Sequence, residues 1–86
     1  MMTVWKYTFN ISDFKQEKSI PRGAKNLHTE LFNDEFCLWV LVDSKKESEE
    51  RMFIVRGTGH PVEKNEVYIG TATAYPFVWH LFEVTK

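Results

Sequence analysis

Along most of the chain, apolar and polar residues alternate with period two and not with the period of a helix. In residues 3–11 (TVWKYTFNI), Trp5, Tyr7, Phe9 and Ile11 fall on one side and Lys6, Thr8 and Asn10 on the other. That pattern, with aromatic and β-branched side chains, predicts a half-buried strand. Residues 12–19 (SDFKQEKS) carry Phe14 as their only large apolar side chain and read as a loop. In IPRGA (20–24), Pro21 presets φ and Gly23 accepts positive φ, which predicts a tight turn at Arg22-Gly23. Residues 25–32 (KNLHTELF) set Leu27, Thr29 and Leu31 against His28, Glu30 and Phe32, and Asn33-Asp34 signals a turn. FCLWVLVD (36–43) is apolar on both faces, as in a strand covered on both sides. The expected unit is a hairpin of 25–32 with 36–42.

The charge run DSKKESEE (43–50) reads as a solvated connection with room for one helical turn. Further strands are expected at 51–57 (RMFIVRG), 67–75 (VYIGTATAY) and 77–84 (FVWHLFEV), with GHPVEKNE (59–66) as a turn region. The last strand is apolar on both faces, interrupted by His80 and Glu83. About six strands on short polar connections predict an all-β fold: a compact antiparallel sandwich or partly closed barrel in which residues 1–86 form one domain.

Composition narrows the function classes. With 11 Lys+Arg against 12 Asp+Glu, the net charge near −1 argues against bulk binding to a nucleic-acid backbone. No window approaches the ~18 apolar residues of a membrane-spanning helix, and a cytoplasmic protein is expected. The lone Cys37 excludes an internal disulfide, and its setting in FCLWVLV is that of an inert core thiol. His28, His60 and His80 lie on three separate segments without ligand spacing, so no metal and no cofactor is expected. No GxSxG elbow is present, and paired carboxylates occur only in the charge run, where both should be solvated, which favours a binding protein over an enzyme.

RGTGHPV (56–62) concentrates the candidate chemistry. Gly57 and Gly59 let a backbone approach a ligand closely, Thr58 and His60 offer polar groups, and Arg56 can stack on a base or grip a phosphate. The alternative is a plain strand-ending turn with Arg56 solvated at its edge. Strands 36–42 and 77–84 each carry more apolar surface than one chain of two layers can cover. This predicts a homo-oligomer, or a pocket for a planar ligand on the surplus face, with Trp39 and Trp79 as its aromatic walls.

The succession WKY (5–7), IPRGAKNL (20–27), CLWVLVD (37–43), GTGHPV (57–62), YIGT (68–71) and FVWHLFE (77–83) resembles a family of small proteins encoded by bacteriophages and prophages. The resemblance spans almost the whole chain. It names no chemistry, but implies an accessory role in blocking host defence. In that role Arg22, Arg56, the 57–60 turn and exposed aromatics would clasp a small anionic nucleotide signal and sequester it unaltered. The other implied role is a protein-interaction module that inhibits a host protein or serves as a minor assembly component.

Overall fold

Seven strands build two antiparallel sheets in the computed structural model, which describes residues 1–86. The strands are β1 (Met2–Asn10), β2 (Gln16–Pro21), β3 (Lys25–Phe32), β4 (Glu35–Asp43), β5 (Ser48–Gly57), β6 (Glu66–Ala74) and β7 (Phe77–Val84). One sheet has the order β1-β4-β3 and the other β2-β5-β7-β6. The all-β expectation holds as a two-sheet sandwich whose sheets do not close into a barrel. No helix long and apolar enough to cross a membrane is present.

Register explains the core. Trp5, Tyr7 and Phe9 lie across from Val40, Leu38 and Phe36, so the alternation read in 3–11 points these positions of β1 toward the other sheet. Val55 and Leu81 are opposite one another in the second sheet. Phe9, Phe36, Leu38, Phe53, Val55 and Leu81 belong to one buried cluster. The Asn33-Asp34 turn closes the β3–β4 hairpin with both residues at positive φ, 50° and 63°. That is the left-handed pair required by a two-residue hairpin turn, and Asn and Asp tolerate it.

Three expectations are corrected. Residues 16–19, read as loop, belong to β2, which pairs with β5 from Gln16↔Phe53 to Pro21↔Ser48. A segment this polar can hold an edge because Lys18 lays its ammonium 5.2 Å from the Phe9 ring centroid and stays half-exposed. The charge run carries no helical turn: Lys46 N–H donates to the Asp43 carbonyl in a tight turn, and β5 starts at Ser48. The simple alternation read in 25–32 breaks at a register shift between Asn26 and His28, and β6 carries a second shift between Tyr68 and Gly70. The first leaves Leu27 exposed and apart from Thr29 and Leu31.

The two irregularities meet where the sheets approach. Thr29 Oγ1 donates to the Thr71 carbonyl at 2.8 Å, and Thr29 packs on Gly70. Turns segregate between the two ends of the sandwich. Asn33-Asp34, the exit of β5 and the Tyr75-Pro76 turn, whose peptide bond is cis, gather at one end. The charge run gathers at the other, where the Arg22 N–H donates to the Glu47 carbonyl.

Candidate functional site

Gly57 ends β5 directly across from Trp79. A Cβ there would lie 2.9 Å from the His60 ring and 3.0 Å from the Trp79 ring, so the absence of a side chain lets both aromatics close on the backbone. Gly59, at φ 92°, turns the chain back. His60 N–H donates to the Gly57 carbonyl, and Gly57 N–H donates to His60 Nδ1, both at 3.0 Å. The imidazole is thereby held with Nδ1 as acceptor, edge-on to Trp79 at 6.3 Å between centroids. Phe77 lies on Trp79 at 6.2 Å.

Three open clefts share Trp79 as a wall. One of about 450 Å³ lies between Gly57, Thr58, His60 and the Pro76–Trp79 stretch. A second, about 640 Å³, is bounded by Asn10, Ile11, Leu31, Asp34 and the turn through Tyr75 and Pro76. The third, about 240 Å³, reaches Ser12, Asp13 and Arg56. A further depression of about 610 Å³ lies among charged side chains that include Lys15, Glu49 and the paired Arg51 and Glu83.

The structure brings together Arg56, Gly57, Thr58, Gly59, His60 and Trp79 of the residues singled out from sequence. Arg56 is committed elsewhere. Its guanidinium donates to both Glu66 carboxylate oxygens, at 3.0 and 2.7 Å, and the Glu66 side chain is only 2% exposed. The hydrogen bonds from Arg56 hold the Glu66 carboxyl below the ordinary carboxylate range. Arg22 stands at the opposite end, 65% exposed and 3.7 Å from Glu49. Trp39 belongs to the outer face of the β1-β4-β3 sheet, with its ring 5.7 Å from His28. Neither joins the Trp79 clefts.

Sequence reasoning missed two features. Tyr75 and Phe77 flank the turn at 95% and 61% exposure, and the available signal was the aromatic-Pro-aromatic order of YPF. The second feature is a chain of polar side chains across β5, β7 and β6. His80 sits with Nε2 2.9 Å from Thr58 Oγ1 and Nδ1 2.9 Å from Thr71 Oγ1, and the Tyr68 hydroxyl is 2.6 Å from Thr71 Oγ1. Each ring nitrogen thus faces a hydroxyl, and no carboxylate orients the imidazole as a triad base would need. Cys37 is 2% exposed, and burial pushes its thiol up, away from the reactive thiolate. No three His, Cys, Asp or Glu side chains cluster in a metal-holding arrangement.

A family model matches residues 1–86, and its description is a domain of unknown function (DUF7352). No curated protein and no solved structure matches the chain.

Proposed function

The chain belongs to the DUF7352 family, whose description carries no chemistry, and we propose from its own surface that it is a non-catalytic interaction module. It presents the turn end around Trp79 to a protein partner. The observation that carries this reading is the exposure of Tyr75 and Phe77, 95% and 61%, beside clefts too open to enclose a substrate. Large aromatics of this kind serve as anchors in interfaces, where they bury much area at little entropic cost. In the phage counter-defence setting that the sequence resemblance implies, the partner is a host protein of the cytoplasm.

Sequestration of an anionic nucleotide is the second reading. It is favoured by the convergence of Gly57, Thr58, His60 and Trp79 on one cleft, and it requires Arg56 to exchange Glu66 for a phosphate. One comparison separates the two. The first reading expects a single stoichiometric partner captured from host lysate by the native chain and not by Tyr75→Ser/Phe77→Ser, whose exposed sites leave the melting temperature unchanged. The second expects a panel of cyclic and ADP-ribose-type nucleotides to raise that melting temperature. Capture that is indifferent to the two substitutions overturns the first reading, and a flat panel overturns the second.

Assembly of copies is part of the proposal. On the outer face of β4, Trp39 and Leu41 stay half-exposed in one chain, and Val4 of β1, across from Leu41, is 51% exposed. Light scattering at micromolar concentration is expected to give a mass above one chain, reduced to one chain by Trp39→Glu. A native chain that is strictly monomeric removes this element.

A further inference from the structure

The turn end has a sign as well as an apolar character. Asp13 and Asp34 are exposed and line the Trp79 clefts, and neither has an ion-pair or hydrogen-bond partner for its carboxylate. The one cation lining the Trp79 clefts is Arg56, already neutralised by Glu66. The aromatics Tyr75, Phe77 and Trp79 therefore sit beside carboxylates that no ion pair neutralises, and Tyr75 and Phe77 are 95% and 61% exposed. A phosphate would meet the carboxylates of Asp13 and Asp34 here. A second copy placed end to end would set acid against acid. A guanidinium or ammonium group gains from both features, since ring faces attract cations and the carboxylates neutralise them.

Resting on the interaction reading above, we propose that the turn end receives a basic protein segment. Its Arg or Lys side chains lie against Tyr75, Phe77 and Trp79 and are neutralised by Asp13 and Asp34, which line the clefts that Trp79 walls. The aromatic cleft supplies contact area, and the carboxylates select the partner by charge.

The test is a titration of the isotopically labelled full chain, followed by amide chemical shifts, with three blocked pentapeptides. The probe is Ala-Arg-Leu-Arg-Ala, and the analogues carry Gln or Glu in place of both Arg residues. The Arg peptide is expected to move the amides of Asp34, Tyr75, Phe77 and Trp79. The Gln analogue should bind about tenfold more weakly, and the Glu analogue not at all at this end. Binding of the Arg peptide should fall to the Gln level in Asp13→Asn/Asp34→Asn; both positions are exposed, and Asn tolerates the positive φ of position 34. Equal binding of the Gln analogue overturns the charge inference and leaves the interaction reading standing. So does an Arg peptide that settles instead on Glu47, Glu49 and Glu50 at the opposite end. If no peptide moves the turn-end amides, the inference fails; the interaction reading fails separately, only if capture also ignores Tyr75→Ser/Phe77→Ser.

Discussion

Glu66→Gln is expected to destabilise the fold by about 1.5–3 kcal/mol at neutral pH, because it removes the charge-assisted, bidentate partner of the half-buried Arg56 guanidinium. Set against a total stability of roughly 5–15 kcal/mol for a domain, that loss is a sizeable fraction of what holds the fold. The pair is bidentate, its two side chains are 18% and 2% exposed, and it joins β5 to the start of β6. Between those strands the chain travels from the Trp79 end of β7 to the Val84 end, so the ion pair ties down both sides of that crossing. Removing both charges is a different experiment. Arg56→Met/Glu66→Leu should recover most of the loss, since an ion pair withdrawn from water often does no better than apolar groups of similar volume.

The pH dependence follows from the sign of the shift. Glu66 titrates below its ordinary value because Arg56 stabilises the carboxylate. The stability it contributes is complete above the unfolded-chain value of about 4.3 and is lost as pH falls through the lower value of the folded protein. Urea melts between neutral pH and pH 3 should show a steeper acid loss in the native chain than in Glu66→Gln. Parallel curves, or a neutral-pH loss under about 1 kcal/mol, would mean that the pair is solvated and that Arg56 is free for a ligand after all.

Gly70→Ala is expected to cost about 1–3 kcal/mol through overpacking at the corner of the sandwich. A Cβ on residue 70 would stand 2.6 Å from Thr29 Cγ2 and 2.7 Å from Thr29 Oγ1. Relieving that contact swings the threonine away and breaks its 2.8 Å hydrogen bond to the Thr71 carbonyl. Thr29→Ala in the same chain should return part of the stability, because it removes the two atoms nearest that Cβ and leaves the Thr29 Cβ at 3.2 Å. Thermal or chemical melts of the two single variants and the double give the coupling directly. Strict additivity would show that the sheets do not meet through this pair. Since Thr71 also contacts His80, a displacement here should register in the His80 ring resonances.

The hairpin of β3 and β4 was readable because its information is local. Asn33-Asp34 supplies the left-handed pair, and the apolar density of FCLWVLV marks a central strand. β2 was not readable, because its four charged or polar residues resemble a loop until Lys18 is seen reaching the Phe9 ring from the other sheet. The bulges in β3 and β6 were hidden for the same reason: each exists to match a neighbour distant in sequence, and Gly70 makes sense only against Thr29.

The candidate site divides in the same way. RGTGHPV identified Gly57, Gly59 and His60 as a turn with chemistry at its tip, and the structure gathers them at Trp79. It gave no sign that Arg56 is held by Glu66, ten residues on, or that Arg22 and Trp39 stand on other surfaces. The order of residues alone determined an all-β chain, most of its strands, and surplus apolar surface on β4. Tertiary structure alone decided which charges are spent in ion pairs, which aromatics meet, and that the turns at one end combine open rings with unpaired carboxylates. Alternation and turn propensity act between residues a few positions apart, whereas neutralisation and cleft formation depend on pairings closed across the chain.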